Sequence, residues 1–246
     1  LRLHRLADIP PGLTHDEADH GLDASGVLDG RTPIYFTVGY GREPLYDYVT
    51  ALVMLIIGRS YLASRLTAVL FGMGLIGLIW AWVRRATENP WLALATAAGL
   101  ATSFWGVSTS RQALRSITLP ALYMAAALVM WLGLSVAEDE DTAPPRTLRG
   151  RPRRWWEPER PHVEIRRMWY FAVAGALLGL SMYTYLAARI MWLVFPAFFV
   201  FLSLSQPGVI RRAWRGLAVM LLVGAVVAAP LFIYLSAHPE AEARLG

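Results

Sequence analysis

Long runs of uncharged, mostly apolar residues alternate with short polar segments along the chain. These runs occupy residues 66–83, 90–110, 116–137, 168–188, 190–210 and 216–237. Each is close to or above the roughly 18–20 residues that a helix needs to cross about 30 Å of hydrocarbon. Because backbone groups in lipid must satisfy their own hydrogen bonds, such runs form helices. The pattern predicts an all-α, polytopic membrane protein with about six transmembrane helices.

The basic residues, all of them arginine, are concentrated in every second loop between these runs. The arginine-rich loops are 84–85, 138–167 and 211–215. Cytoplasmic loops carry an excess of Arg and Lys, so these three loops are predicted to be cytoplasmic. The outer, extracytoplasmic side of what we predict to be the plasma membrane then holds residues 1–60, 108–115, 183–189 and 236–246.

One further apolar segment, residues 45–58, is short for a membrane-spanning helix. It has about fourteen residues and contains Asp47, whereas about 20 apolar residues are needed to span a bilayer. A crossing here would also turn the arginine-rich loops outward. We therefore predict an interfacial helix that lies along the outer leaflet. The chain then divides into an extracytoplasmic part, 1–61, and a six-helix transmembrane domain, 62–246, with the cytoplasmic loop 138–167.

Composition adds little to this topology but excludes some kinds of site. The chain has no cysteine, which rules out disulfide bonds and thiolate metal ligands. The net charge is +5, but the arginines follow the membrane topology, so the predicted partner is the lipid bilayer and no nucleic acid is indicated. The chain begins at Leu1 without a signal-peptide pattern, and we expect it to be a fragment of a longer protein.

The polar outer segment contains a predicted helix at 14–29 with candidate catalytic groups. Thr14 and Glu17 have the S/T-x-x-E spacing of a capping box at a helix start. Capping is a sufficient explanation of Glu17, whereas Asp16 is not needed as a cap. A carboxylate at this place, near the membrane surface, is able to accept a proton from an acceptor hydroxyl.

Helical spacing places Asp16, His20 and Asp23 along one face of this helix, with Asp19 beside them. His15 lies five residues before His20, so the two histidines point to different sides. This is not the H-E-x-x-H pattern of a zinc site. We predict that both are surface residues and that no metal site is formed from them.

Three other outer segments carry polar groups suited to binding a substrate. Glu43 precedes a proline and therefore lies in extended backbone, where substrate binding and solvation are both open. Arg111 follows the second apolar run, and Arg189 closes a turn that also contains Tyr183 and Tyr185. A guanidinium binds phosphate through two parallel hydrogen bonds, and tyrosine hydroxyls add donors. Either arginine alone would equally well extend toward lipid headgroups.

These segments together resemble the GT-C membrane glycosyltransferases, which include the bacterial protein O-mannosyltransferases and the lipid A aminoarabinose transferases. The resemblance rests on Pro11-Gly12-Leu13 followed by Asp16-Glu17, on Glu43-Pro44-Leu45, on Ser110-Arg111 and on Tyr183-x-Tyr185-x-x-x-Arg189. It implies that the Asp16-Glu17 pair is the catalytic motif, with Asp16 as the base. It also implies a polyprenyl-phosphate sugar as donor, with Arg111 and Arg189 helping to hold its phosphate.

The sequence departs from that family at three places. By comparison with the family, we expect the membrane span that precedes the Asp-Glu pair to be missing from this fragment, which also stops soon after the last apolar run. The stretch after Ser110-Arg111 lacks the acidic residue that some relatives carry there. A divalent metal requirement is therefore left open, and no other cofactor is predicted.

Three functions are compatible with the pattern. The resemblance implies an inverting glycosyltransferase that moves a sugar from a lipid-phosphate donor to an unknown acceptor hydroxyl at the outer face. A transporter would place charges near the middle of the membrane, but the apolar runs carry none. A non-catalytic membrane scaffold would have no reason to gather Asp, Arg and Tyr on one side.

Overall fold

The computed structural model describes residues 1–37, 41–142, 161–205 and 207–241, and this part of the chain is built from helices. The helices are α1 (His15–Leu28), α2 (Leu45–Ile57), α3 (Tyr61–Thr87), α4 (Pro90–Thr102), α5 (Phe104–Arg111), α6 (Thr118–Thr142), α7 (Pro161–Ser181), α8 (Ala188–Met191), α9 (Val194–Ser205) and α10 (Pro207–Ala237). No strand occurs in the described ranges, where Phe36 and Arg42 form an isolated antiparallel bridge. The predicted all-α membrane fold is confirmed.

Four helical segments within the described residues are long and apolar enough to cross a membrane. They are Tyr61–Thr87, Arg115–Ser135, Ala188–Ser205 and Ala213–Ala237. The apolar run 90–110 does not form one straight helix, because the chain turns into extended backbone at Ser103 between α4 and α5. The Ser103 hydroxyl accepts a hydrogen bond from the Gly106 amide at 3.1 Å and so starts α5 as a cap. The count of six spans stays a prediction.

The predicted loops differ from the structure at two points. Residues 211–215 belong to α10, so the chain there is helical. The acidic end of the predicted loop 138–167 continues α6 as far as Thr142, and α7 begins at Pro161. The Pro/Arg-rich stretch between them lies outside the described residues.

The main core forms where α6, α7, α9 and α10 meet. Its buried side chains are Ala126, Met130, Phe171, Ala174, Leu178, Phe195, Ala213, Leu217 and Met220. Gly175 and Gly179 face α10 so closely that a Cβ atom at either position would collide with the backbone carbonyl of Met220 or Gly224. This is the close helix approach for which small residues at i and i+4 are selected in membranes.

The two helices of the N-terminal region occupy the segments for which helices are predicted. α1 and α2 pack against each other and against the first half of α3, and a small buried cluster joins them. The Leu45 amide donates a hydrogen bond to the Tyr183 carbonyl at 2.9 Å. The start of α2 and the turn after α7 therefore lie at the same end of the molecule.

Candidate active site

Glu17 caps α1, as the sequence spacing indicates. The Glu17 amide donates to Thr14 Oγ1 at 3.3 Å, and Glu17 Oε2 accepts from the Thr14 amide at 3.0 Å. The carboxylate also bonds to other elements: its Oε1 accepts hydrogen bonds from Arg65 Nε at 3.2 Å and from the Ala113 amide at 3.1 Å. Glu17 is only 2% exposed. It thus connects α1 to α3 and to the loop after α5.

The electrostatics of Glu17 follow from these contacts. Burial favours the neutral acid, but the hydrogen bonds from the Thr14 and Ala113 amides and the charge of Arg65 outweigh burial and lower the pKa of Glu17. Glu17 is therefore ionised at neutral pH and held as an anion by its partners. These contacts give it an anchoring role.

Asp16 lies beside this anchor but is exposed. The other carboxylates of α1 are engaged: Arg42 lies 3.0 Å from Asp19 and 3.2 Å from Asp23. Burial raises the pKa of Asp23, and the charge of Arg42 opposes that shift. The other acids of α1, Glu17, Asp19 and Asp23, thus form ion pairs with arginines of neighbouring elements, whereas Asp16 is exposed to the surroundings.

His20 is buried, so the prediction of a surface position is wrong for this histidine. Its Nδ1 lies 2.6 Å from Asp47 Oδ1, and the two side chains are 4% and 0% exposed. Asp47 lies on the mostly apolar helix α2 and is shielded from solvent. A buried carboxylate requires a polar partner, and the His20 imidazole supplies it. His15 is largely exposed and lies 3.4 Å from Asp19. Within the described residues, no group of three His, Asp or Glu side chains is arranged to hold a metal ion.

Glu43 joins two arginines from different parts of the chain. Its Oε2 lies 2.9 Å from Arg115 Nη1, and its Oε1 lies 3.8 Å from Arg189 Nη2. The Glu43 side chain is 2% exposed, whereas that of Arg189 is 21% exposed. The Arg115 guanidinium also lies over the ring of Tyr185, 5.4 Å from its centre. We call Glu43, Arg115, Tyr185 and Arg189 the arginine cluster.

Arg111 has a different set of partners from the arginines of this cluster. Its guanidinium donates to the backbone carbonyls of Leu1, Arg2, His4, Arg5 and Ile9 at 2.6–3.4 Å. A guanidinium that already donates to five carbonyls is committed to holding the N-terminal segment. A phosphate-binding role for Arg111 stays a prediction that these contacts do not favour.

The two predicted tyrosines also differ. Tyr183 inserts its hydroxyl into α10, where it donates to the Val227 carbonyl at 2.9 Å and accepts from the Leu231 amide at 3.3 Å. This occurs beside Pro230, which lies inside the helix and removes a backbone donor from it. Tyr185 is 38% exposed and contacts the arginine cluster. The Tyr183 hydroxyl is thus committed to α10, whereas substrate binding by the more exposed Tyr185 stays a prediction.

Comparison with known proteins gives two findings. Residues 41–143 match the family model described as dolichyl-phosphate-mannose-protein mannosyltransferase. No curated protein matches the chain. Among solved structures, that of ArnT from Cupriavidus metallidurans bound to undecaprenyl phosphate is similar, with a TM-score of 0.66 and 17% sequence identity. The match covers 94% of this chain but only 38% of ArnT, so the chain spans less than half the length of that protein.

Both matches are to membrane glycosyltransferases, and the structural match concerns the helical fold. Residues 41–143 are similar to GT-C mannosyltransferases, and the fold of the chain is similar to that of ArnT. The resemblance expected from the short motifs is confirmed at this level. The family match contains Glu43 and Arg115, whereas Asp16 and Arg189 lie outside the matched residues.

Sequence reasoning missed three arginines that organise this region. Arg42 and Arg65 lie next to apolar segments in the sequence. In the structure both are buried and form ion pairs with acids of α1. Arg115 ends the stretch Ser108–Arg115, in which the family motif Ser110-Arg111 favours Arg111 instead. The available signal was charge balance, since α1 carries four carboxylates that need basic partners if the helix packs against the membrane domain.

Proposed function

We propose that this chain is the donor-binding and catalytic part of an inverting glycosyltransferase that uses a polyprenyl-phosphate sugar at the outer membrane face. The observation that supports this most is the arginine cluster, in which Arg115 and Arg189 share one buried carboxylate. The cluster brings two guanidinium groups to one place, and guanidinium groups bind phosphate through paired hydrogen bonds. The GT-C fold, and a solved relative that binds undecaprenyl phosphate, agree with such a donor.

The proposal is supported by two contacts that attach α1, the helix that carries Asp16, to chain neighbours of this cluster. Glu17 accepts from the Ala113 amide, two residues before Arg115. Arg42, which precedes Glu43 in the chain, forms ion pairs with Asp19 and Asp23. The proposed base, Asp16, and the proposed phosphate site at the arginine cluster therefore belong to elements that contact each other.

The proposed reaction assigns a separate task to each group. Asp16 takes the proton of an acceptor hydroxyl, and the acceptor oxygen forms a bond to the anomeric carbon of the sugar. The bond between that carbon and the phosphate oxygen breaks, and its electron pair leaves with the lipid phosphate. Arg115 and Arg189 stabilise the charge that collects on the phosphate, and the attack from the opposite side inverts the anomeric configuration.

The outer location of the site gives a topology prediction. Single cysteines placed at Gln112 and Gly150 of this cysteine-free chain are to be labelled in intact cells with a membrane-impermeant maleimide. Arginine alternation predicts labelling at 112 and protection at 150 until the cells are opened. Labelling at 150 with protection at 112 would invert the topology and place the site in the cytoplasm.

The function itself is tested with the full-length protein that contains this chain. Purified protein is mixed with a radiolabelled polyprenyl-phosphate sugar, and transfer to an acceptor extract from the source membrane is followed. We expect a product in which the anomeric configuration is inverted relative to the donor. A retained configuration would exclude single displacement. No transfer from any polyprenyl-phosphate sugar would overturn the proposal.

A further inference from the structure

Arg65 is fully buried and has no task in the proposed reaction. Its guanidinium lies against the loop that precedes α1, where Nη1 donates to the carbonyls of Leu6, Ala7 and Pro10 at 3.0–3.4 Å. Its Nη2 donates to the Gly12 carbonyl, and its Nε donates to Glu17. All three nitrogen atoms of the guanidinium therefore have acceptors, although Arg65 is 0% exposed.

These contacts fix the position of the first turn of α1. The loop carbonyls and the Glu17 carboxylate converge on one planar group, which is rigid and holds its donors at set angles. Glu17 in turn receives the Thr14 and Ala113 amides. The segment from Leu6 to Glu17, which includes Asp16, is thus held by a fully buried side chain from α3.

We infer that Arg65 is a positioning residue for the carboxylate of Asp16, an inference that rests on the proposed function. Arg65 touches neither donor nor acceptor. It acts through Glu17 and the loop carbonyls, and it sets where Asp16 meets the acceptor hydroxyl. Binding of the donor at Arg115 and Arg189 does not depend on Arg65.

The test is Arg65→Lys in the full-length protein, which keeps the charge and removes the planar set of donors. Small displacements of a catalytic group cost on the order of 10²-fold in rate, so kcat is expected to fall by about that factor while KM for the donor stays near the wild-type value. Arg59→Lys is the matched control. Arg59 pairs with Asp29 at the other end of α1, at 2.7 Å and largely exposed, and its kcat should equal that of the wild type.

A double-mutant cycle separates positioning from a general loss of structure. Glu17→Gln alone should lower kcat by roughly tenfold, less than Arg65→Lys, because the single amide oxygen still accepts one of the two backbone hydrogen bonds that the carboxylate receives. If both residues act through the same contact, the double variant should be little worse than Arg65→Lys. Additive losses, or wild-type kcat in a folded Arg65→Lys variant, would overturn the inference.

Two further measurements keep the inference testable and separate it from the proposed function. If Arg65→Lys does not accumulate as folded protein, Glu17→Gln decides alone, and an unchanged kcat in that variant contradicts the inference. Asp16→Asn is measured in parallel. An inactive Asp16→Asn with a fully active Arg65→Lys refutes the positioning role only, whereas an active Asp16→Asn refutes the proposed function.

Discussion

Asp16→Asn is expected to abolish sugar transfer by the full-length protein while leaving its fold and donor binding intact. The asparagine has nearly the same shape but does not accept the proton of the acceptor hydroxyl. General base catalysis typically contributes about 10²–10⁴-fold, so kcat should fall by that range and KM for the donor should change little. Asp16 is exposed, and the buried anchors of α1 are its neighbours, so stability should be preserved.

The measurement is transfer from a polyprenyl-phosphate sugar, with the temperature of thermal unfolding followed on the same samples. Asp8→Asn is a suitable control, because Asp8 is an exposed acid of the same N-terminal region that pairs with Arg5 at 3.1 Å. It should retain full turnover. Near-normal turnover by a folded Asp16→Asn protein would reduce Asp16 to a surface carboxylate and remove the base from the proposed mechanism.

Arg189→Ala is expected to weaken donor binding as well as turnover. The phosphate of the bound donor is already charged, so Arg189 contributes before the reaction begins and again as charge collects on the leaving group. Hydrogen bonds to charged groups contribute about 1.5–3 kcal/mol, which corresponds to a rise in the Kd for the donor of roughly tenfold or more. Loss of a donor to the developing charge should also lower kcat by about 10²-fold.

Arg189 is the better of the two cluster arginines for this test. Arg115 lies 2.9 Å from the buried Glu43 carboxylate, and removing one partner of a buried pair typically costs about 3–5 kcal/mol of stability. Arg189 lies farther away, at 3.8 Å, and is more exposed. Donor binding is measured with undecaprenyl phosphate by calorimetry, with Arg5→Ala as a control at an exposed arginine. Equal affinity in wild type and Arg189→Ala would remove this residue from the donor site.

The sequence predicts the helical membrane fold because length and apolarity decide it almost alone. The capping box at Thr14 and Glu17 is equally local, so its geometry follows from spacing. The partners of charged side chains cannot be predicted in this way, because they depend on which elements pack together. Nothing near Arg65 in the chain indicates Glu17, and nothing near Asp47 indicates His20.

The same distinction explains the outcome for the predicted substrate residues. Arg111 and Arg189 both follow apolar runs and have equal chemistry in the sequence. In the structure Arg111 faces the N-terminal segment, whereas Arg189 faces Glu43. The different surroundings of the two arginines arise from the packing of the N-terminal segment against α5. That packing joins residues more than 100 positions apart, so the local sequence does not reveal it.

The spacing of the anchors on α1 has a consequence for insertions and deletions. Glu17, His20 and Asp23 contact three different elements within two helical turns. One residue added between Glu17 and Asp23 would rotate the rest of the helix by about 100° and so aim the later anchors away from Asp47 and Arg42. Among homologous chains that keep this site, alignment gaps should therefore fall between α1 and α2, and the stretch from Glu17 to Asp23 should keep a constant length.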